Sequence, residues 1–437
     1  MKESYYNFFH PLKNGNVIIF NAKNCALAEV NDKYISLFDK IRNKSIFFSE
    51  QEQEMLNELA EAGFVIDDPI NELANLKHLH YREKYNREFM SVTIAPTMDC
   101  NLACKYCFEE RKPGVMTERI QESLLKFLDN NLHNKNLLEV NWYGGEPLLA
   151  IDTIEKMVER IVELTNRKGC SFRQNMISNG YLINKEVAKR LKRIGIETIQ
   201  VTLDGTREIH DSRRVLKDGK TGSFDKILQG LKEALSVGLN VVLRINIDKT
   251  NYYKIHDLLL CLKQHEIKNL KIAYGHVLPY TSLCEGYGEN CFTKEEYADR
   301  VLEIQNMMLQ ENFKNESVIY PTPKLTYCSA CNVNSFLLDV DGDMYKCWCD
   351  VGNKHDSFSN IEEYDEMQNE EQNENFLKWV NKTPFDDLEC KKCKLLPICM
   401  GGCPKMAEQE QKKKSCDLWK YNIKNMMTCT YNYYSND

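Results

Sequence analysis

Apolar and polar positions alternate regularly between about residues 90 and 315. Six short apolar runs are typical of buried strands, and they cover residues 91–95, 138–143, 174–178, 198–203, 241–247 and 270–274. Apolar residues at helical spacing predict helices over residues 116–132, 152–165, 185–194 and 223–237. Six repeats of a strand followed by a helix predict an α/β fold, with a parallel, right-handed sheet that is curved or partly closed into a partial (β/α)6 barrel.

The first 85 residues have a different pattern. Ser49 and Glu52 fit a capping box at the start of a helix, and Gly63 fits its end. The predicted order is strand, strand, helix, helix and strand, over residues 16–21, 26–30, 34–41, 49–62 and 64–66. This order describes a winged-helix-like module, and residues 69–88 are interpreted as a linker helix. Ten Lys and Arg against thirteen Asp and Glu disfavour DNA, so a peptide added to the sheet edge is the better hypothesis.

Residues from about 316 to the end are dense in cysteine and poor in regular periodicity. Asp341-Gly342 between apolar runs at 336–340 and 344–347 predicts a hairpin. The acidic stretch 361–375 is interpreted as solvated and without a ligand role, and residues 417–427 as a last helix. The chain is therefore predicted to have three domains, over residues 1–85, 86–315 and 316–437.

Composition and charge narrow the class of protein. The 437 residues include 18 cysteines, yet the first 20 residues contain no apolar run typical of a signal peptide, and no stretch approaches the length of a membrane span. We therefore expect a cytoplasmic protein, without a membrane partner, whose cysteines bind metal. The net charge of −7 argues against a nucleic-acid partner and favours a peptide or a small molecule.

Cys100, Cys104 and Cys107 follow the first strand of the predicted barrel. Three thiolates at this spacing can hold three corners of a four-iron four-sulfur cluster and leave the fourth iron open. A zinc site is the alternative, but structural zinc usually takes four ligands, and no other Cys or His lies between residues 81 and 127. Spacing alone leaves the two interpretations at about even odds.

The ends of the other predicted strands carry polar residues and glycines. They are Gly144-Gly-Glu-Pro147, Ser178-Asn-Gly180 and Asp204-Gly205. Each alone is an ordinary turn, since Gly and Asn are common turn residues. Because the carboxyl ends of parallel strands meet at one rim, we expect them to converge around the three cysteines.

The carboxyl-terminal cysteines form the most specific pattern in the sequence. With Cys328 just upstream, Cys331, Cys347, Cys390, Cys393, Cys399, Cys403 and Cys416 provide eight ligands, enough for two fully ligated cubane clusters. A zinc ribbon at Cys390 and Cys393 is the alternative, at about one chance in ten, because it leaves the other cysteines unexplained.

Cys100-x3-Cys104-x2-Cys107, with an aromatic residue before the last cysteine, resembles the radical S-adenosylmethionine superfamily, and the later cysteines resemble its SPASM extension. The amino-terminal module is similar to the precursor-peptide recognition element of peptide maturases. The resemblance implies a partial barrel of the radical SAM type, S-adenosylmethionine and three 4Fe-4S clusters. It also implies that the cofactor is held by Gly144, Gly145, Glu146, Ser178 and Asn179, near Tyr106 and Phe108, with Arg244 and Asn246 as further candidates.

The same resemblance assigns the auxiliary ligands. It places Cys328, Cys331, Cys347 and Cys403 on one cluster, and Cys390, Cys393, Cys399 and Cys416 on the other. Cys349 lies two residues beyond Cys347, so two alternatives remain for the first cluster: four cysteine ligands, or three with an open site. The cysteines that fit no pattern are interpreted as packed thiols, and they are Cys25, Cys170, Cys261, Cys284, Cys291 and Cys429.

The resemblance implies reductive cleavage of the cofactor and hydrogen removal by the resulting radical. Auxiliary clusters suit a net oxidation, since one electron must leave the product. We therefore expect a peptide maturase that forms a crosslink within a precursor peptide. The overall layout most resembles the streptide-type maturases, which join a lysine β-carbon to a tryptophan ring. This resemblance implies a precursor peptide with its leader as substrate and a flavodoxin or ferredoxin-like reductant. The alternatives are a thioether-forming maturase, a formylglycine-forming sulfatase maturase, and a metal-dependent regulator without enzymatic activity.

Overall fold

The computed structural model describes residues 1–267, 270–311, 313, 320–365, 372–412 and 414–435. By its contacts the chain divides into two compact units. Unit 1 comprises Met1–Lys84, Val318–Cys328 and Lys382–Asp437, and unit 2 comprises Tyr85–Ser317 and Ser329–Asn381. The first 84 residues thus share a unit with the last cysteines of the sequence. The division into three domains stays a prediction.

The strands, in chain order, are β1 Lys2–Glu3, β2 Asn7–Pro11, β3 Val17–Asn21, β4 Leu27–Val30, β5 Val65–Ile66, β6 Phe89–Ile94, β7 Leu137–Trp142, β8 Ser171–Ser178, β9 Thr198–Thr202, β10 Asn240–Ile247, β11 Lys271–His276, β12 Ser335–Leu338, β13 Asp343–Tyr345 and β14 Ser359–Asn360. The α-helices are α1 Asp32–Arg42, α2 Glu50–Glu61, α3 Glu72–Lys84, α4 Glu118–Asn131, α5 Ile151–Lys168, α6 Lys185–Arg193, α7 Arg207–Arg213, α8 Phe224–Ser236, α9 Ile255–Gln264, α10 Lys294–Gln310, α11 Glu374–Val380, α12 Leu388–Lys391, α13 Leu396–Cys399, α14 Pro404–Gln409 and α15 Trp419–Ser435.

Unit 1 begins with a three-stranded antiparallel sheet, in the order β2-β3-β4, and a two-stranded ladder of β1 and β5. The capping box at Ser49 and Glu52 is present, and it starts α2 where the sequence predicts it. Helices α1 and α2 bury Phe38 and Leu56 in one core with Ile19 of β3. The predicted strands and helices of this region are confirmed, while β1 and β2 were not predicted. The likeness to a winged helix stays a prediction.

The amino-terminal residues of unit 1 are bonded to its carboxyl-terminal part. The Tyr5 hydroxyl donates to the Lys392 carbonyl at 2.6 Å, and Lys394 Nζ donates to the Asn7 carbonyl at 3.0 Å. The Tyr431 hydroxyl donates to Glu29 of β4. These contacts explain why the two ends of the chain form one unit.

Unit 2 contains a nine-stranded sheet in the order β11-β10-β9-β8-β7-β6-β12-β13-β14. Strands β6 to β11 pair in parallel and confirm the six predicted strands, and α4, α5, α6 and α8 confirm the four predicted helices. The predicted hairpin forms from β12 and β13. Its first strand pairs in parallel with β6 and thereby extends the sheet, a long-range pairing that the local pattern did not show.

Burial alternates along β7 and β10, whereas β6 is buried along nearly its whole length. On β7, Leu138, Val140 and Trp142 are buried, whereas Glu139 and Asn141 are half-buried. On β7 one face is therefore apolar and buried, while the other carries the polar residues. Side chains at the carboxyl ends of these strands form the candidate site.

Residues 366–371 of the acidic stretch lie outside the described residues, and α11 begins within its last part, at Glu374. The final helix α15 is longer than predicted and bends at Asn422, whose backbone dihedral angles are not helical. Among the described helices, none combines the length and apolar character that crossing a bilayer requires.

Candidate functional site

Cys100, Cys104 and Cys107 lie on the loop between β6 and α4, and all three are half-buried. The segment after α7 holds this loop through its main chain. Ala103 N donates to the Val215 carbonyl at 2.7 Å, and Lys105 N donates to the Arg213 carbonyl at 3.1 Å. Because backbone atoms on both sides of Cys104 are fixed, the spacing of the three thiols is set by the fold.

Gly144 and Gly145, just after β7, pack directly against the cysteine loop. Gly144 has φ of +106°, and a Cβ at this position would collide with the Thr97 carbonyl oxygen. A Cβ on Gly145 would collide with the Asp99 carbonyl oxygen. Glu146 N then donates to the Asp99 carbonyl at 2.8 Å. The two glycines are therefore needed for close approach of the two segments.

Glu146 is fully buried and bonded to the end of β8. Its carboxylate accepts from Ser178 Oγ at 2.8 Å and from the Asn179 main-chain N–H at 2.7 Å. Burial raises the pKa of Glu146, and these donors act in the opposite direction. Asn179 Nδ2 also lies 3.7 Å from Cys100 Sγ. The structure thus brings together Glu146, Ser178 and Asn179 beside the cysteine loop, as the strand-end pattern predicts.

Tyr106 connects the cysteine loop to β9 and β10. Its hydroxyl donates to Asp204 and accepts from Arg214 Nη1 at 2.7 Å and Asn246 Nδ2 at 3.3 Å. Burial alone would raise the pKa of Asp204, but the guanidinium groups of Arg213 and Arg214 bring it below its ordinary value. Asp204 is therefore a buried anion that is compensated by two cations.

Arg213 extends this network toward β10. Its Nη1 donates to both carboxylate oxygens of Asp248, at 2.7 and 2.6 Å, and Nη2 donates to the Asn246 carbonyl at 3.0 Å. Its guanidinium carbon lies 4.8 Å from the centre of the Tyr106 ring. The Tyr287 hydroxyl donates to Asp248 at 3.0 Å. Of this network, Asp204 was predicted only as a turn residue and Tyr106 and Asn246 as residues near a cofactor, while Arg213, Arg214, Asp248 and Tyr287 were not predicted.

Arg244 and Phe108 were also predicted to lie near a cofactor, and each contacts a neighbouring side chain. Arg244 Nε donates to Asn246 Oδ1 at 2.9 Å, and the guanidinium lies where a Cβ of residue 275 would be, so Gly275 makes room for it. The Phe108 ring packs edge-on against Tyr280 with centroids 5.8 Å apart. Asn246 and Tyr106 belong to the charged network described above. The roles of these residues toward a cofactor stay predictions.

The three thiols are in an environment that disfavours their charged form. Burial raises the pKa of Cys100 to about 11 and that of Cys107 to about 12. Burial also raises the pKa of Cys104, although Arg214 opposes this shift. Thiolates are the form that binds iron, so cluster insertion must release protons here.

Some buried polar atoms near the cysteine loop have no hydrogen-bond partner, and such atoms indicate a place for a polar ligand. Within the described residues, Asn101 Nδ2 and Arg214 Nε are buried and make no hydrogen bond. Tyr143 lies near Glu109, whose pKa burial raises to about 7. Buried donors are costly unless they are paired. Three thiols with orphaned donors around them fit an iron–sulfur cluster that binds a charged cofactor.

The second cysteine set lines a cavity in unit 1. Cys390, Cys393, Cys399 and Cys416 surround about 70 Å³ of space. Gly402 pairs with Ser415 in a parallel bridge, which brings Cys416 next to the turn after α13. The part of the chain that the structure describes has no group of three or more His, Cys, Asp or Glu that could hold a metal ion. Four cysteines around one cavity are the number of ligands that a four-iron four-sulfur cluster takes, and such a cluster here stays a prediction.

The other auxiliary set is divided between the two units. Cys331 and Cys347 belong to unit 2, whereas Cys328 and Cys403 belong to unit 1. A first auxiliary cluster on these four residues stays a prediction, as does the alternative of Cys349. All 18 cysteines lie in the described part of the chain, and no disulfide joins any of them.

Comparisons with known proteins agree with this geometry. Residues 94–259 match the Radical SAM superfamily. The chain is similar to Fe-coproporphyrin III synthase of Methanosarcina barkeri, with 24% identity over 71% of this chain and 82% of that protein. It is also similar to the cysteine-type anaerobic sulfatase-maturating enzyme of Clostridium novyi, with 27% identity over 73% of this chain and 89% of that protein.

A solved structure resembles nearly the whole chain. Streptococcus suis SuiB bound to precursor peptide SuiA has a TM-score of 0.57 and 18% identity, and the match covers 94% of this chain and 98% of SuiB. The likeness shows a shared fold. Residues 94–259 of this chain form a radical SAM domain, and the protein is an enzyme of S-adenosylmethionine-dependent radical chemistry.

Proposed function

We propose that this enzyme is a cytoplasmic peptide maturase that joins a lysine β-carbon to a tryptophan ring within one ribosomally made precursor peptide. The observation that carries the peptide substrate is the likeness to SuiB, because it spans 94% of this chain and that structure holds a precursor peptide. The lysine-to-tryptophan bond is the specific part of the proposal and is the part that needs a product analysis.

The chemistry divides between cofactor and chain. When bound, S-adenosylmethionine on a reduced cluster supplies a 5′-deoxyadenosyl radical, which removes hydrogen from an unactivated carbon. Cys100, Cys104 and Cys107 would hold that cluster, and Glu146 would accept from the ammonium of the cofactor in a charge-assisted hydrogen bond. Bond formation then releases one electron and one proton from the peptide, so the peptide loses two hydrogens in all.

The auxiliary cysteines support a net oxidation. The four cysteines around the cavity of unit 1 would hold a cluster that can accept the electron released by the product. In this proposal a second auxiliary cluster on Cys328, Cys331, Cys347 and Cys403 makes three in all. A flavodoxin or ferredoxin-like carrier supplies the electron that starts the reaction.

The test is anaerobic co-expression with the precursor peptide encoded beside the gene, followed by tandem mass spectrometry of the peptide. The proposal expects a loss of two hydrogens and fragments that place a link between Lys and Trp. A link through a cysteine sulfur overturns the bond assignment and makes the enzyme a thioether maturase. A Cys104→Ala variant is the matched control, because it should leave the peptide unmodified.

A sulfatase-type maturase is the second candidate, and the 27% identity to the Clostridium novyi enzyme favours it. Incubation with a peptide that carries a sulfatase Cys or Ser motif distinguishes the two, since formylglycine formation with no change in the precursor peptide supports the second candidate. Deletion of residues 1–85 is a poor test, because Tyr5 and Asn7 bond to the carboxyl-terminal part of unit 1 and the deletion would disturb its folding.

A further inference from the structure

Arg244 lies on β10 of unit 2, near the end of the strand where the candidate site is formed. Burial alternates along this strand, and Arg244 belongs to its half-buried face. Its partner on β9 is Thr202, and the preceding residue of β9, Val201, pairs with Ser178 of β8. Arg244 is therefore at about the level of Asn179, among the strand ends that form the candidate site.

The fold keeps space for the Arg244 guanidinium and holds one side of it. Nε donates to Asn246 Oδ1 at 2.9 Å, two residues further along the same face of β10. Asn246 is paired with Gly275 of β11, and a Cβ on residue 275 would collide with the guanidinium. Because Gly275 has no side chain, the guanidinium lies beside the main chain of β11 in a defined orientation.

The two terminal nitrogens of Arg244, Nη1 and Nη2, have no partner in the part of the chain that the structure describes. They make no hydrogen bond and no ion pair there, and neither is fully enclosed, so a ligand can reach both. By contrast, Arg213 bonds to Asp248, and Arg214 bonds to Tyr106. A carboxylate accepts two parallel hydrogen bonds from a guanidinium and balances its charge. Arg244 therefore has the geometry of a carboxylate-binding residue.

The carboxylate of S-adenosylmethionine is one candidate ligand, but the order of the strands argues against it. In the proposed function the cofactor ammonium bonds to Glu146, and the cofactor carboxylate is attached to the same carbon as that ammonium. Glu146 accepts from the Asn179 N–H at the end of β8, whereas the Arg244 guanidinium lies beside β11. Strands β9 and β10 lie between them. At a strand spacing of about 4.8 Å the two groups are roughly 14 Å apart along the sheet, too far for one amino acid to contact both.

We propose that Arg244 binds a carboxylate of the precursor peptide, and that this ion pair orients the peptide beside the cofactor and selects an acidic substrate. The carboxylate belongs to an Asp or Glu side chain or to the C terminus of the peptide, since the two have the same chemistry. No covalent bond is made or broken in this contact, so Arg244 acts on affinity and orientation. The inference rests on the proposed function, because it needs a peptide substrate.

The first experiment compares two affinities. Reconstituted holoenzyme is titrated into the fluorescently labelled precursor peptide, and the Kd is read by anisotropy, while equilibrium dialysis without peptide gives the Kd of S-adenosylmethionine. Arg244→Met removes the charge and should weaken peptide binding about tenfold or more, with no change in the cofactor Kd. Arg244→Lys keeps the charge without the two parallel donors and should bind the peptide with intermediate affinity. An unchanged peptide Kd in Arg244→Met, or a weakened affinity for the cofactor, overturns the inference.

The matched control is Arg173→Met, which removes the same charge from another strand of the same sheet. Arg173 lies near the start of β8, at the opposite end of the strand from Ser178, and its side chain is 49% exposed and pairs with Glu197 at 3.3 Å. This variant should bind the peptide as the parent does. A loss of peptide affinity equal to that of Arg244→Met would show a general effect of charge and overturn the inference.

The second experiment changes the peptide, so it does not depend on the folding of an enzyme variant. Each Asp and Glu of the peptide is replaced in turn by Asn or Gln, and the C-terminal carboxylate is replaced by an amide. One of these peptides should bind the parent about tenfold more weakly, yet bind Arg244→Met as the unchanged peptide does, because its partner is already absent there. That peptide identifies the carboxylate. If no peptide shows this dependence on Arg244, the inference is overturned.

Binding and product analysis separate this inference from the proposed function. If tandem mass spectrometry finds no link between Lys and Trp while peptide binding depends on Arg244, the proposed bond fails and the role of Arg244 stands. If the link forms while peptide binding does not depend on Arg244, the inference fails alone. A precursor peptide that does not bind the parent enzyme overturns both.

Discussion

The Tyr106 hydroxyl donates a hydrogen bond to the Asp204 carboxylate, and this bond joins the cysteine loop to the end of β9. Tyr106 lies between Cys104 and Cys107, so the network that fixes its ring also fixes the position of both thiols. Asp204 in turn accepts from the Asn246 main-chain N–H at 2.9 Å, which adds β10. Three segments that are distant in sequence thereby meet at one buried anion.

Substitutions at Tyr106 and Asp204 should show how much a lost hydrogen bond and a lost charge each reduce the free energy of unfolding. Tyr106→Phe keeps the ring and removes one donor, and it should lower the free energy of unfolding by about 1–3 kcal/mol. Asp204→Asn leaves Arg213 and Arg214 without their anion and should cost about 3–5 kcal/mol. Urea unfolding of the metal-free protein, followed by circular dichroism, measures both. Losses within about 0.5 kcal/mol of zero for both variants would contradict the network as a structural tie.

Gly144 and Gly114 provide a test of close packing at equal backbone geometry. Their φ angles are +106° and +103°, yet only Gly144 has backbone atoms where a Cβ would be. Gly114→Ala should cost about 1 kcal/mol for its left-handed conformation alone. Gly144→Ala must also move the cysteine loop away, so it should reduce iron incorporation in the reconstituted protein. Iron and sulfide assays, together with thermal unfolding, measure the difference. Equal iron contents in the two variants would show that close packing at Gly144 does not position the cysteine loop.

The local pattern of apolar and polar residues was sufficient to predict the strands that position the site. The six parallel strands were predicted from apolar runs, and Glu146, Ser178 and Asn179 were predicted at one rim because parallel strands end at one edge. The pairing of β12 with β6 joins residues 335 and 91, and such long-range pairing leaves no local periodicity.

The charged network was missed for a different physical reason. Arg213 lies on α7, a helix of seven residues, and its sequence resembles a solvated surface turn. Only the fold shows that Arg213 and Asp248 are both buried. Paired burial of opposite charges depends on which strands become neighbours, so composition alone gives no signal for it.

His210 should make stability depend on pH. Its Nδ1 accepts from the Asp204 N–H at 3.1 Å, so its Nε2–H donates to Ser223 Oγ at 2.9 Å. Burial, with a contribution from the charge of Arg214, lowers the pKa of His210 to about 3. In the unfolded chain the pKa is about 6.5, so below that pH the unfolded state binds a proton that the native state does not.

The stabilising effect of neutral His210 is therefore full above about pH 6.5 and decreases as the pH falls toward 3, by up to about 1.4 kcal/mol per unit. Urea unfolding at about pH 7.5 and about pH 5 should show that the parent loses about 2 kcal/mol more than His210→Gln on acidification. His276, whose pKa burial lowers to about 4, remains in both proteins and cancels in this comparison. An equal loss in parent and variant would show that His210 is protonated in the folded protein.

Substitutions in the two cysteine sets should have different effects on cofactor cleavage and on product formation. Cys104→Ala removes a ligand of the open cluster, so dithionite should no longer produce 5′-deoxyadenosine. Cys399→Ala alters the cavity in unit 1, so 5′-deoxyadenosine formation should continue while the cross-linked peptide is lost. Each variant should contain about four fewer iron atoms than the parent, since each cluster holds four, and the three proposed clusters correspond to about twelve in the parent. Liquid chromatography of the nucleoside and an iron assay measure these outcomes.

Cys170→Ala is the matched control, because Cys170 is a buried thiol outside both sets. It should keep the parental iron content and both products, and it should lose only the packing of one small side chain. If Cys104→Ala still cleaves the cofactor, the open cluster is held by other residues. If instead Cys399→Ala forms the cross-link at the parental rate, the cavity of unit 1 has no part in removing the electron from the product. The two failures are separate, because the first concerns how the radical is generated and the second how the product is oxidised.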